Sequence, residues 1–209
     1  MDELRRAGAV RWVVFDLGDV LLRRTTRIPE LAELCGIDAA VFEPLYFAGR
    51  AGYDRHSDPA LFFGELCATA GVPVPAEDLL ARLVEIDDLG WSEIDPDTMA
   101  LVELAARSGA DLAVLSNAPA SMGTLVRAAP WSTAFRHLVF SGDHGVVKPS
   151  ADIFRLLLQT LQARPDETVL VDDRADNVEG ARRIGMHAVH FTSAEQARTE
   201  LRSLLGPGD

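Results

Sequence analysis

The sequence predicts an α/β fold, a mostly parallel sheet with helices on both faces and a small all-helical insertion after the first strand. Three observations carry this expectation. Short apolar runs of buried-strand length recur along the chain and end in polar residues or glycine. Segments with helical spacing of apolar residues lie between them, and strands that alternate with helices build a parallel sheet. The stretch 23–94 breaks that alternation, because it holds helical patterns and no clear strand.

The first strand is Trp12–Phe15, which stops at Asp16. In the insertion, helical patterns cover Ile28–Cys35, Pro59–Ala70 and Ala76–Ile86, separated by Gly36-Ile37-Asp38 and Gly71-Val72-Pro73 turns. Insertions are tolerated where the chain runs over the surface, and strand-end loops are such places. The core rhythm resumes at Asp95-Pro96, with Asp95 as N-cap and Pro96 at the first helical position. That helix carries Met99, Leu101, Val102, Leu104 and Ala105 and stops at Gly109. Leu112–Leu115 is the second strand and Leu138–Phe140 a weaker one. A helix over 151–161 places Ile153, Phe154, Leu157, Leu158 and Leu161 on one face. Thr168–Val171 is a strand, Asn177–Ile184 a helix stopped by Gly185, and Ala188–Phe191 the last strand. The domain organisation expected is a core of residues 1–22 and 95–209 with a cap of residues 23–94.

The chain has 209 residues, 48% of them apolar, enough for a substantial core. Its formal net charge of −12 argues against nucleic-acid binding, which needs a basic face. Cys35 and Cys67 lie far apart without metal-ligand spacing and read as reduced, buried thiols. Met1–Gly8 is charged and short, so no signal peptide is expected. No apolar run approaches the roughly 20 residues of a membrane span. The expectation is a cytoplasmic protein, monomer or homodimer, with no nucleic-acid and no membrane partner.

Four polar signals sit at the ends of core segments. They are Asp16, Ser116-Asn117, Lys148 in the run Gly145–Pro149, and Asp172-Asp173. In an open parallel sheet the carboxyl ends of the strands share the edge where ligands bind. A carboxylate can attack phosphorus and form an acyl-phosphate. Grouped carboxylates would repel an anionic substrate unless a divalent cation neutralises them, and Mg2+, a hard ion held by few carboxylates, suits this. A lysine and a hydroxyl then stabilise the oxygens of the transferring group.

In this order the residues resemble the four motifs of the haloacid dehalogenase superfamily. Phe15-Asp16-Leu17-Gly18 looks like the first motif, and Val114 to Pro119 like the second. Val147-Lys148-Pro149 with Ile153-Phe154 looks like the third, and Val169 to Val189 like the fourth with its helix. The insertion resembles the helical cap of the phosphatase-like subfamily, in which Tyr53-Asp54-Arg55 falls in a commonly shared stretch. The resemblance implies a Rossmann-like core and a Mg2+-dependent phosphatase acting on a small phosphorylated metabolite, sugar phosphates foremost. Asp16 would be the nucleophile, and Ser116 and Lys148 would bind the phosphoryl group with the Asn117 backbone amide. Asp16, the Gly18 carbonyl, Asp172 and Asp173 would hold the metal, and Asn177 would orient the fourth loop.

One position departs from the pattern. Most phosphatases of the superfamily carry a second aspartate two residues after the nucleophile, which protonates the leaving oxygen. Here that residue is Gly18. General acid–base help of this kind is worth about 10²–10⁴-fold. Asp19 is the nearest substitute, and Asp54 or His56 could arrive from the cap. The halide-cleaving branch also lacks the second aspartate but needs neither Mg2+ nor paired carboxylates, so Asp172-Asp173 favours phosphoryl chemistry. A 2-haloacid dehalogenase-like hydrolase and a non-catalytic relative that binds phosphate or a partner stay as alternatives. Arg23 and Arg24 could meet an anionic substrate or be solvated at a hinge. Tyr46, Phe47, Phe62 and Phe63 read as cap packing, with one of them free to face the cleft. His187 and His190 read as structural or exposed.

Overall fold

The computed structural model describes residues 9–206, and the Met1–Gly8 segment on which the signal-peptide expectation rests lies outside the described residues. Five parallel strands, β1 (Trp12–Phe15), β2 (Asp111–Ser116), β3 (His137–Phe140), β4 (Thr168–Asp172) and β5 (His187–His190), form one sheet in the order β3-β2-β1-β4-β5. The expected strands are all present, within one residue at either end. The chain builds outward from β1 to β3, then crosses to the other side of β1 for β4. That reversal puts the ends of β1 and β4 side by side at the crevice where such sheets bind ligands.

Strand alternation fixes the two layers of the core. Val13 and Phe15 point to one face and pack with Leu101 and Val102 of α5 (Pro96–Arg107), Met122 and Val126 of α6 (Ala120–Ala128) and Leu201 of α10 (Ala194–Leu205). Trp12 and Val14 point to the other and pack with Ile153, Phe154 and Leu157 of α8 (Ala151–Leu161) and Val178 of α9 (Ala175–Arg183). A one-turn helix, α7 (Ser141–His144), follows β3. Asp95 caps α5 as expected, its side chain accepting from the Asp97 N–H.

The insertion consists of α1 (Ile28–Cys35), α2 (Ala39–His56), α3 (Pro59–Ala70) and α4 (Glu77–Gly90), with an apolar cluster of its own around Leu31, Phe42, Tyr46, Phe63 and Leu83. The long α2 is the one insertion helix that sequence pattern does not announce. It contains Pro44, Gly49 and Gly52, which read as breakers. Tertiary burial of Phe42, Tyr46 and Tyr53 overrides that local preference. Tyr53 stacks on Phe62 with ring centroids 4.6 Å apart, so the stretch serves packing as well as the cleft. Cys67 is buried, but Cys35 is only half-buried, and both are free thiols.

The two crossings between insertion and core run antiparallel to each other. Leu22 bridges Ile94, the Arg23 N–H donates to the Glu93 carbonyl (2.8 Å), and the Asp95 N–H donates to the Leu21 carbonyl (3.0 Å). Among the described residues no helix is long and apolar enough to cross a membrane.

Candidate active site

Asp16 follows the last residue of β1, Ser116 ends β2 and Asp172 ends β4, so the sheet itself sets three of the four motifs on one edge. Lys148 arrives from the loop before α8. Its ammonium is fully buried and lies 2.8 Å from Asp16 Oδ2, 2.7 Å from Asp172 Oδ2 and 2.9 Å from the Leu115 carbonyl. All three contacts are acceptors, which satisfies the three N–H donors of a lysine.

Asn117 holds that lysine in place. Its Nδ2 donates to the Lys148 carbonyl (3.0 Å) and its Oδ1 accepts from the Lys148 N–H (2.8 Å). The sequence suggests a part for the Asn117 backbone amide; the side chain has this additional positioning duty, for which no spacing rule gives a signal. Asp172 is fixed in turn by Asn177 Nδ2 (2.9 Å) and the Arg174 N–H (3.0 Å) on Oδ1. Asp173 is half-buried, and its carbonyl meets the ring of exposed His190 at 2.8 Å.

Asp16, Asp172 and Asp173 each offer a carboxylate oxygen, and these oxygens all lie within 4.8 Å of one another. Burial, the largest influence, pushes Asp16 up to about 7; Lys148 pulls it down, while Asp172 and Asp173 push it further up. Burial and Asp172 likewise raise Asp173. Burial also acts against ionised Asp172, but the Lys148 charge and hydrogen bond, with Asn177, outweigh it and hold that carboxyl below its usual range. One ammonium therefore faces three carboxylates, and the donor set of hard oxygens fits a divalent cation such as Mg2+.

These groups open onto a cleft of about 580 Å³. Asp16, Gly18, Asp19, Ser116, Asn117, Lys148 and Asp173 line it, as do Asp54 of the insertion and Arg24 of the crossing. Asp172 lies behind Lys148, fully buried. Asp19 faces Arg24 at 3.4 Å. Arg23 turns away to Glu93 and Asp95. His56 is a correction: it sits on the exposed last turn of α2 and is not among the residues that line the cleft. Two residues apart on a helix point to different sides, so Asp54 turning inward sends His56 out.

The insertion wall holds two side chains that motif reading passes over. Arg50 Nε lies 2.8 Å from Asp54 Oδ1, and its Nη1 lies 2.7 Å from Asp87 Oδ2 and donates to Tyr46 Oη at 2.6 Å. Tyr46 Oη also donates to Asp87. The i,i+4 spacings of Tyr46, Arg50 and Asp54 were the available signal. Burial raises Asp54 to about 6, with Arg50 opposing and Asp87 adding. The second is Trp91, whose indole lies over Gly18: a Cβ on Gly18 would stand 3.3 Å from Trp91 Cζ3. Of Tyr46, Phe47, Phe62 and Phe63, Phe47 is the one among the residues that line the cleft.

A serine hydroxyl ties the insertion to the core loops. Ser141 Oγ accepts from the Ala118 N–H (3.0 Å) and donates to the Asp54 carbonyl (2.6 Å). Ser57 Oγ accepts from the Ala120 N–H (2.9 Å), and Ser121 Oγ donates to Asp88 (3.1 Å). The loop carrying Ser116 and Asn117 is thereby braced by α2 and α4.

Residues 10–185 match the family model of haloacid dehalogenase-like hydrolases. The mouse acyl-CoA dehydrogenase family member 10 is 31% identical over 150 residues, covering 69% of this chain and 13% of that protein. A glyceraldehyde 3-phosphate phosphatase of Pyrococcus furiosus is 34% identical over 68 residues, 32% of this chain and 28% of that one. The chain spans only about a seventh of the first curated relatives it matches. Among solved structures, a dehalogenase superposes with a TM-score of 0.70 at 21% identity, covering 95% of this chain and 98% of that one. At that identity the likeness establishes the fold, while the family match over most of the chain establishes the lineage: the chain belongs to the haloacid dehalogenase-like hydrolases.

Proposed function

We propose that this hydrolase is a Mg2+-dependent phosphatase that cleaves a small organic phosphate monoester through an aspartyl-phosphate on Asp16. The observation that carries the reading is the buried Lys148 ammonium between Asp16 and Asp172, with Asp173 and Ser116 on the same sheet edge. Asp16, the Gly18 carbonyl, Asp172 and Asp173 would hold the ion, which when bound offsets carboxylate charge and polarises a phosphoryl oxygen.

The chain's own groups supply the rest. An Asp16 oxygen bonds to phosphorus as the bond from phosphorus to the alcohol oxygen breaks. Lys148 and the Ser116 hydroxyl stabilise charge on the transferring group. Water then releases phosphate and restores Asp16. Asp19 is the group we assign to proton delivery to the leaving alcohol, because it lines the cleft next to Gly18 and its contact with half-exposed Arg24 is long at 3.4 Å, whereas Arg50 holds Asp54 at 2.8 Å.

A second reading has one observation behind it. Trp91 over Gly18 leaves an apolar wall where a proton donor would stand, and a halide leaves without a proton. The carboxylate cluster supports the phosphatase instead. The test is a panel of phosphate esters with and without Mg2+. Phosphate release that needs Mg2+ and is lost in Asp16→Asn supports the reading. Halide release from 2-haloacids in chelator, with no phosphate released from any ester, would replace it. A rate unchanged in Asp19→Asn removes Asp19 from the proton role.

A further inference from the structure

The attacking and leaving oxygens of a transferring phosphoryl group stand roughly in line. Asp16 attacks from the end of β1, so the leaving group extends away from the sheet edge, toward the insertion. The residues that meet the cleft from that side are Arg24, Phe47, Arg50, Ala51, Asp54 and Trp91. Arg50 is engaged by Asp54, Asp87 and Tyr46, and Arg24 faces Asp19. The remaining polar groups of the lining stand with the core motifs. Asn117 clamps Lys148, and Arg174 pairs with Asp176. Asn177 donates to Asp172, so its unpartnered Oδ1 belongs to the carboxylate side of the cleft.

Trp91 is the aromatic of that wall that reaches the nucleophile's own loop. Its half-buried indole covers Gly18, two residues from Asp16. A Cβ on Gly18 would stand 3.3 Å from Trp91 Cζ3 and 3.6 Å from Cε3, so the bare glycine makes room for the ring. The opposite, polar edge of the indole turns into the insertion, where Nε1 donates to Tyr46 Oη at 3.0 Å. Tyr46 is buried and its hydroxyl is also bonded to Asp87 and Arg50, so the tether is itself fixed. The backbone is held on both sides as well. The Trp91 N–H donates to the Asp88 carbonyl (3.2 Å), and two residues on the Glu93 carbonyl accepts from the Arg23 N–H (2.8 Å). A ring seated at one edge and tethered at the other offers a rigid apolar face, and a surface ordered before binding loses little freedom on binding.

We infer that Trp91 is a specificity-determining residue, whose indole face carries the leaving group of the ester while the phosphoryl group sits at Asp16. Gly18 and Trp91 act as one device: the missing side chain at position 18 lets the ring approach the reacting centre, and the ring supplies the contact there. A leaving group with a flat face gains most, because paired rings attract beyond the area they bury. This rests on the phosphatase reading and deepens it.

The experiment measures, by isothermal titration with Mg2+ present, the affinity of the protein for benzylphosphonate, methylphosphonate and inorganic phosphate. The carbon–phosphorus bond resists hydrolysis, so binding is read without turnover. Benzylphosphonate should bind at least about tenfold more tightly than methylphosphonate, from burial of part of its ring and from the ring pair. Trp91→Ala and, with more of the bulk kept, Trp91→Leu should each remove most of that ratio and leave the affinity for inorganic phosphate within about twofold. Trp91→Phe, which keeps a ring over Gly18, should restore the ratio to within about threefold. Equal affinity for the two phosphonates in the natural protein, a ratio unchanged in both Trp91→Ala and Trp91→Leu, or a loss that inorganic phosphate shares in full overturns the inference and leaves the phosphatase reading standing. Phosphate release from no ester of the panel overturns both.

Discussion

Replacing Lys148 with methionine keeps a long apolar stem and removes a charge that two buried carboxylates share. The ammonium lies 2.8 Å from Asp16 and 2.7 Å from Asp172, and the side chain is shut off from solvent. At an effective dielectric of about 20, a pair at such a distance attracts by about 6 kcal/mol. Much of that attraction offsets the desolvation of the ions in the native protein. The variant loses the attraction while the carboxylates stay buried, and breaking buried pairs from one side costs about 3–5 kcal/mol. We expect a loss of that size in urea unfolding of metal-free protein at neutral pH.

Two further arms separate charge compensation from lost packing. Adding Asp16→Asn to Lys148→Met removes one uncompensated carboxylate, so the double variant should be at least about 1 kcal/mol more stable than additivity gives. With the ammonium gone, Asp16 is held up more strongly by burial and by Asp172. The loss should therefore shrink as pH falls and Asp16 takes up its proton, and grow as pH rises. A loss below about 1 kcal/mol, or single-variant effects that add within about 0.5 kcal/mol, would refute the assignment of Lys148 as the counter-charge of this cluster.

In the proposed reaction Asp16 must be ionised to attack, and burial places it near pH 7 without a cation, so activity should fall as pH drops through that value. Bound cation favours the ionised form, so kcat/KM profiles at low and saturating Mg2+ should show the acid limb moving down; a limb indifferent to Mg2+ contradicts the metal assignment. Asn117→Ala removes both hydrogen bonds that clamp the Lys148 backbone, and we expect about a 10–100-fold drop in kcat with a smaller change in KM, read from steady-state kinetics. Gly142→Ala would put a Cβ 2.6 Å from the Ala120 nitrogen and 2.8 Å from the Ala118 oxygen. It should cost about 1–3 kcal/mol in urea unfolding, and a cost under about 0.5 kcal/mol would mean that the seat between α2 and the Ser116 loop is looser than its hydrogen bonds imply.

What the sequence discloses about this protein follows from which forces act locally. The strands are legible because β1, β2 and β4 are buried on both faces and read as continuous apolar runs. Helix α8 is legible at both ends because Ser150 caps it and five apolar residues share its buried face. Helix α2 is not, since contacts between Phe42, Tyr46, Tyr53 and the other insertion helices decide it against Pro44 and two glycines. The site divides in the same way. Asp16, Ser116 and Asp172 stand at strand ends, where local pattern and position on the sheet coincide. Trp91, the Asn117 side chain and the Arg50 contact with Asp87 depend on partners 31 to 45 residues away, and no local pattern encodes such pairings, whereas the i,i+4 contacts of Arg50 with Tyr46 and Asp54 do have a local signal.

The charge balance of the cluster also bears on the order of events in the proposed reaction. Three carboxylates and one ammonium leave two negative charges at the end of β1 and β4 when all are ionised. A phosphate dianion approaching that surface is repelled, and burial around Asp16 weakens solvent screening of the repulsion. Asp16 is pushed up chiefly by burial, with Lys148 opposing and Asp172 and Asp173 adding to the rise; a proton taken up there relieves part of the excess but also disables the nucleophile. A divalent cation relieves the whole excess and keeps Asp16 ionised. The cation must then precede the ester, so raising Mg2+ should lower the apparent KM for substrate, and raising substrate should in turn lower the Mg2+ concentration needed, although no substrate concentration restores activity when Mg2+ is absent. Initial-rate kinetics over a grid of both concentrations distinguishes this order from random addition, in which the two would bind independently.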